Sequence, residues 1–296
     1  VLNHPTLYRI APRLAARLDV PLVATIWDPP EQVAWNLDLD RVSLGLAARD
    51  LLNAVRVSER CSVMSEAMRD HYESATGTPC TIMRYGVDPA PAVRTGSPAG
   101  EADCFVLGFA GSLSAEDTWH ALLRALASVG WRIAGRRVML RVFARELVLE
   151  ARGSMRIDYR GWAGSPAQTL RELAATDANY LPVSFDPMLE RAARQAFPAK
   201  LSTYAAAGRP VFCHAPSCAA VASFFDTYPM GPVCTALQPA AILHALDTLA
   251  STAAAQAQWA AQARRASEEE LGRAAFLARF ARLAGGRQAA ANPATT

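Results

Sequence analysis

Short apolar segments typical of buried strands alternate with amphipathic helical segments along nearly the whole chain. Strand patterns occupy residues 20–27, 61–64, 80–84, 104–110, 138–143, 155–159, 178–181, 211–214 and 231–234. A helix after a strand carries the chain back across the sheet, so the next strand pairs in parallel. The sequence therefore predicts an α/β protein with doubly wound parallel sheets.

The chain has 296 residues, of which 51% are hydrophobic, and this is enough for two domains. Residues 89–103 are rich in Pro, Ala and Gly and nearly free of large apolar side chains, as expected of a domain boundary. The predicted division is a first domain over residues 1–95 and a second over 96–265. The composition of residues 285–296 predicts a disordered tail.

The second domain reads as a complete doubly wound unit, whereas the first contains only three predicted strands. Residues 1–3 resemble the end of a further strand. We therefore expect the first domain to be incomplete, with its front part outside this chain.

Charge and cysteine content argue against several classes of function. The net charge is only +3 and the arginines are dispersed, which is not typical of nucleic-acid binding. The six cysteines lack the spacing of a metal site, so we interpret them as buried apolar side chains in a reducing compartment. No apolar run is long enough to span a bilayer, and a cytoplasmic protein is expected.

Lys200 is the one lysine among 30 basic Lys and Arg residues. Pro198 precedes it, residues 200–207 form a predicted helix, and Gly208 is placed to end that helix. A flexible ammonium at a helix N-terminus beside a strand end is suited to bind a diphosphate. The alternative is that Lys200 is a solvated residue on a helix surface.

Two other loops at predicted strand ends could contact a ligand. Gly111 allows close approach of phosphate oxygens, and Ser112 either binds them or caps the next helix. Trp162 could flank a nucleotide base, or it could be a packing residue. The five histidines are scattered, without metal or nucleophile spacing, and are interpreted as structural.

Six segments together resemble the family 4 glycosyltransferases, whose fold is GT-B with two Rossmann-like domains. They are residues 63–68 (VMSEAM), 84–88 (RYGVD), 107–112 (LGFAGS), 160–162 (RGW), 178–182 (ANYLP) and 198–211 (PAKLSTYAAAGRPV). The resemblance implies transfer of a sugar from a nucleoside-diphosphate donor to a glycan or lipid-linked acceptor. It further implies a retaining reaction without a metal or other cofactor, and a bacterial enzyme of polysaccharide biosynthesis.

The resemblance also assigns residues to the two sides of a cleft. The second domain would bind the donor, with Gly111, Ser112 and Lys200 at its diphosphate, and the first domain would bind the acceptor. Residues 266–284 would form a helix that returns to pack on the first domain. Expected locations are the cytoplasm and the inner face of the membrane, where peripheral contact with the bilayer is left open.

The chain departs from the family at several positions that would carry chemistry. Thr203 stands where a Glu commonly binds the ribose, and Gln195 stands where a second Glu is expected. Trp27 stands where many members of the family have a His. Asp28 follows it and is either a catalytic carboxylate in the cleft or a turn residue before a proline. The usual basic residue after the first loop of the second domain is missing, and Arg145 is the expected substitute.

Two other classes of function remain open from these departures. One is a degenerate GT-B protein without catalysis that binds a nucleotide or acts as a scaffold subunit. The other is a sugar-nucleotide epimerase, which would need more acid and base side chains in the cleft than the sequence offers.

Overall fold

The computed structural model describes residues 1–89, 103–112, 115–144, 154–161 and 165–285. These residues form two sheets. Outside the described residues lie Arg145, Trp162, the tail after residue 285 and most of the predicted boundary segment.

Within the described residues, the first sheet consists of three parallel strands in the order β1-β2-β3. They are β1 (Val23–Thr25), β2 (Arg60–Val63) and β3 (Cys80–Ile82). Ala24, Cys61 and Cys80 are aligned across the three strands. The helices of this part are α1 (Pro5–Leu18), α2 (Pro30–Asn36), α3 (Arg41–Arg56) and α4 (Glu66–Thr76).

The second sheet has the order β10-β9-β8-β4-β6-β5, and β7 pairs with β6. Its strands are β4 (Cys104–Ala110), β5 (Arg132–Ile133), β6 (Arg136–Phe143), β7 (Arg156–Tyr159), β8 (Ala178–Pro182), β9 (Val211–His214) and β10 (Val233–Cys234). The pairs are parallel except for β5 with β6. The central strand β4 is buried along nearly its whole length, as a strand covered by helices on both faces must be.

The helices that accompany the second sheet follow the alternation expected from the sequence. They are α5 (Glu116–Ser128), α6 (Pro166–Ala174), α7 (Glu190–Gln195), α8 (Lys200–Ala207), α9 (Ala220–Thr227), α10 (Pro239–Ala250), α11 (Ala253–Ala266) and α12 (Arg273–Ala284). None of the described helices is long and apolar enough to cross a membrane.

The last described helix, α12, packs against the first sheet. Arg60 on β2 donates to the carbonyl oxygens of Arg282 and Leu283 on α12, each at 3.3 Å. Gly86, just after β3, lies close to Gly272. A Cβ added at Gly86 would be 2.7 Å from the carbonyl oxygen of Gly272. The domain boundaries themselves stay predictions.

Several predicted elements differ from those observed. The predicted strand at 20–27 pairs only over Val23–Thr25, because Pro21 lacks an N–H for the ladder. Helix α2 and strand β5 were not predicted. The final helical stretch is interrupted by a π-helical turn at Ser267–Leu271. Gly272 follows in an extended conformation. A Cβ added at Gly272 would collide with the carbonyl oxygen of Ser267.

Candidate functional site

A cavity of about 400 Å³ lies between the two sheets. Its lining includes Trp27 and Asp28, which follow β1, and Ser112, which follows β4. Ser184 after β8 and Lys200 on α8 complete the opposite wall. Ligands of open α/β sheets bind outside the carboxyl ends of the strands, and this cavity lies there for both sheets.

Lys200 is the first residue of α8, and its ammonium joins two parts of the second domain. Nζ donates to the carbonyl oxygen of Ser112 at 3.1 Å and lies 4.7 Å from the ring centroid of Phe109. It forms no ion pair with the described residues. Burial lowers the pKa of Lys200 to about 8. Within the described ranges the site therefore holds a positive charge without a carboxylate partner, which is favourable for an anionic ligand.

The N-terminus of α8 lies at the same wall. Pro198 and Ala199 line the cavity, and their carbonyl oxygens accept from the N–H groups of Leu201 and Ser202 at 2.9 and 3.2 Å. The partial positive charge of a helix N-terminus adds to that of Lys200. The sequence predicted this arrangement, including the end of the helix at Gly208 in the left-handed conformation.

Gly111 lets the chain turn sharply after β4. Its φ is 107°, in the region that favours glycine, and its N–H donates to the carbonyl oxygen of Phe143 at 3.0 Å. An added Cβ would lie 3.9 Å from Cε of Lys200, which is an ordinary contact. Gly111 is therefore needed for its backbone conformation, and Ser112 after it is exposed at the cavity.

Tyr204 provides a second link between α8 and the end of β4, and the sequence analysis missed it. The N–H of Ala110 donates to Oη of the fully buried Tyr204 at 3.0 Å. Burial also raises the pKa of this phenol. Lys200 and Tyr204 are four residues apart on one helix face, and this spacing was the available signal.

Asp28 is half-buried at the first-domain wall. Burial raises the pKa of its carboxyl group, and its negative charge helps to raise the pKa of Tyr8 to about 12. The carboxylate has no hydrogen-bond or ion-pair partner in the described part of the chain. The N-cap of α2 is Pro29, so Asp28 does not cap this helix and is available to a ligand.

The same wall carries further groups suited to a sugar. Trp27 and Tyr85 meet edge to face, with ring centroids 6.4 Å apart. Gln32 and Asn36 of α2 place amide groups beside them. The sequence did not predict this set, because α2 itself was not predicted.

Two residues placed by the resemblance do not line the cavity. Thr203 is half-buried on α8, outside the lining. Gln195 is buried, its Oε1 has no hydrogen-bond partner among the described residues, and its backbone oxygen accepts from Oγ of Ser65 at 2.6 Å. Thr203 and Gln195 therefore do not join Lys200 and Asp28 in the lining of the cavity.

No protein-family model and no curated protein sequence matches this chain. Solved structures do match. HepE from Anabaena, crystallised in complex with UDP and glucose, superposes with a TM-score of 0.69 at 16% identity, covering 96% of this chain and 76% of HepE. Sucrose-phosphate synthase from Thermosynechococcus elongatus gives a TM-score of 0.68 at 11% identity, covering 96% and 72% of the two chains. The fold is GT-B.

A third GT-B structure is similar over a smaller share of this chain. WaaG, a glycosyltransferase involved in lipopolysaccharide biosynthesis, gives a TM-score of 0.57 at 13% identity, covering 89% of this chain and 74% of WaaG. The predicted GT-B fold is thus confirmed, and the cavity lies in the cleft between its two sheets. At these identities the likeness establishes the fold alone.

Proposed function

We propose that this chain is a glycosyltransferase that takes a sugar from a nucleoside-diphosphate donor in the interdomain cavity. The observation that carries the proposal is the ammonium of Lys200, which forms no ion pair with the described residues and lies at the N-terminus of α8 and at the carboxyl ends of the strands. An ammonium beside a helix N-terminus is well suited to stabilise a diphosphate as the leaving group. HepE was crystallised with UDP, so UDP-sugars are the first donors to test.

The diphosphate would bind against Lys200, the N-terminal end of α8 and the loop at Gly111 and Ser112. Nζ of Lys200 would exchange the carbonyl oxygen of Ser112 for a phosphate oxygen. Diphosphate binding would raise the lowered pKa of Lys200, because a nearby negative charge favours the ammonium. The N-terminal end of α8 and the ammonium would then neutralise the charge that develops as the sugar leaves. No metal is required in this scheme.

The first-domain wall would bind the acceptor. Trp27 and Tyr85 offer apolar faces to a sugar ring, and Gln32 and Asn36 offer hydrogen bonds to its hydroxyl groups. Asp28 would accept a hydrogen bond from a neighbouring hydroxyl of the acceptor and so orient the attacking hydroxyl toward the anomeric carbon. Its carboxylate would also stabilise the positive charge that develops on the sugar ring.

We expect transfer with retention of configuration. The bond from the anomeric carbon to the diphosphate oxygen breaks, and a bond to the acceptor oxygen forms on the same face. The departing phosphate oxygen, on that face too, takes the proton of the acceptor hydroxyl. The first test is incubation with UDP-, GDP-, ADP- and dTDP-sugars and glycan acceptors, followed by nuclear magnetic resonance of the product. Net release of nucleotide with no new glycosidic bond would contradict transfer.

A binding protein without catalysis is the second candidate. It is favoured by the position of Thr203 and Gln195, which leaves the cavity without the carboxylates expected at the ribose. This candidate predicts nucleotide binding without turnover of any nucleotide sugar. An epimerase would instead change the donor sugar itself.

The identity of the acceptor stays open between a glycan and a lipid-linked sugar. The cytoplasmic location and the contact with the inner membrane face stay predictions. So do the donor-binding roles of Arg145 and Trp162, which lie outside the described residues.

A further inference from the structure

Arg84 is a charged residue buried between the two sheets. It follows β3 and is only 2% exposed. One guanidinium nitrogen donates to both carboxylate oxygens of Glu66 on α4, at 2.8 and 2.7 Å. Another donates to Glu270 in the π-helical turn at 3.0 Å. The guanidinium thus joins the first sheet to the segment that returns from the second.

The same guanidinium packs against two aromatic rings of the second domain. Its central carbon lies 4.6 Å from the ring centroid of Phe197 and 5.0 Å from that of Phe224. The two rings meet edge to face, with centroids 5.1 Å apart. An arginine suits this position, since a lysine would offer the two rings only a point charge.

Phe197 begins the short segment that leads into α8. It is buried and lines the cavity, and Pro198 and Ala199 are all that separate it from Lys200. Because proline fixes its own φ, the position of Phe197 largely determines where α8 begins. On the other side of Phe197, Oγ of Ser65 binds the carbonyl oxygen of Gln195. Two residues of the first domain therefore hold this segment.

We infer that Arg84 is a positioning residue that holds Phe197 and thereby keeps the ammonium of Lys200 in the cavity wall. The inference rests on the proposed function for the nature of the ligand, a nucleoside diphosphate. It adds that Arg84, a residue of the first domain, helps to build the diphosphate site without itself touching the diphosphate. Separation of the two domains would then loosen the site.

The chain offers a direct probe because Lys200 is its single lysine. Incorporation of ¹³C,¹⁵N-lysine gives one side-chain signal, whose titration reports the surroundings of Nζ with or without nucleotide. The test variant is Arg84→Met, which removes the guanidinium and keeps an unbranched side chain against the rings. Its carboxylate partners retain access to water, with side-chain exposures of 58% for Glu66 and 23% for Glu270.

Arg60→Met is the matched control. Arg60 also joins the first sheet to the returning segment, through Arg282 and Leu283, but does not contact Phe197. In Arg84→Met we expect the Lys200 titration to move upward from about 8, toward the usual lysine value, and affinity for the preferred nucleoside diphosphate to fall about tenfold. Arg60→Met should leave both unchanged.

A Lys200 titration that is unchanged in folded Arg84→Met would overturn the inference. If Arg84→Met does not fold, the test uses Phe197→Leu instead. This variant removes the ring beside the Arg84 guanidinium and leaves the ion pairs of Arg84 in place. Phe197→Leu should shift the titration in the same direction, and no shift would again overturn the inference. If the unaltered chain binds none of the nucleotides, the proposed function fails, while the titration still decides whether Arg84 positions Lys200.

Discussion

The ammonium of Lys200 donates to the backbone carbonyl of Ser112 at 3.1 Å, which joins the first residue of α8 to the loop after β4. The two residues are 88 positions apart in the chain. Their contact brings a flexible positive charge, a helix N-terminus and a tight glycine turn to one wall of the interdomain cavity. The other predictions depend on this geometry.

The stability of the protein should depend on the ionisation of Lys200. Burial lowers its pKa to about 8 in the folded state, so between about pH 8 and its ordinary value of 10.5 the unfolded chain holds the proton more strongly. The contribution of this group to the free energy of unfolding therefore rises with pH across that window. Urea unfolding from pH 7.5 to 10, compared between the unaltered chain and Lys200→Met, should show the rise only in the former. Parallel curves would be inconsistent with a lowered pKa.

Nucleotide binding should follow the opposite pH trend. A diphosphate binds the ammonium form, and this form is lost in the free protein as pH rises through about 8. Affinity should fall up to about tenfold per pH unit above that value, until Lys200 in the complex also loses its proton. Calorimetry at pH 7, 8 and 9 tests this expectation. Constant affinity across the range would place the diphosphate away from Lys200.

Gly111→Ala should destabilise the protein by about 1–2 kcal/mol, because its φ of 107° is strained for any residue with a Cβ. The expected loss comes from the backbone, since the nearest contact of the new Cβ is ordinary. Gly45→Ala is the control, in the middle of α3 with open space around it, and should stabilise by up to about 1 kcal/mol. Thermal or chemical unfolding measures both changes. If Gly111→Ala has the same free energy of unfolding as the unaltered chain, this turn does not require glycine.

Tyr204→Phe should cost about 1–3 kcal/mol in the free energy of unfolding, because it leaves the N–H of Ala110 without its acceptor. The loosened end of β4 should also weaken nucleotide binding. Chemical unfolding and calorimetry on the same samples separate the two effects. Full retention of both properties would mean that this hydroxyl does not hold the loop.

Asp28→Asn should reduce sugar transfer by about a hundredfold or more while nucleotide binding stays near that of the unaltered chain. The amide keeps the size of the carboxylate but loses the negative charge at the first-domain wall. Steady-state kinetics and nucleotide titration give the two values. Unimpaired turnover in this variant would remove Asp28 from the proposed mechanism.

Sequence reasoning was most successful where local signals agreed. Pro198, Lys200 and Gly208 predicted helix α8 with its observed ends, because proline, helix propensity and the left-handed glycine all act locally. The contact of the Arg84 guanidinium with the Phe197 ring could not be predicted, because it joins residues 113 positions apart across two domains. The wall formed by Trp27 and Tyr85 was missed because these residues are distant in the sequence and meet only in the folded first domain.

The most direct measurement is a calorimetric titration of the unaltered chain and Lys200→Ala with UDP, GDP, ADP and dTDP, without added metal. Arg13→Ala is the charge-matched control, since Arg13 is exposed on α1 and does not line the cavity. We predict that one nucleoside diphosphate binds the unaltered chain and Arg13→Ala equally, and binds Lys200→Ala at least about tenfold more weakly. Equal affinity for Lys200→Ala would contradict the assignment of Lys200 to the diphosphate.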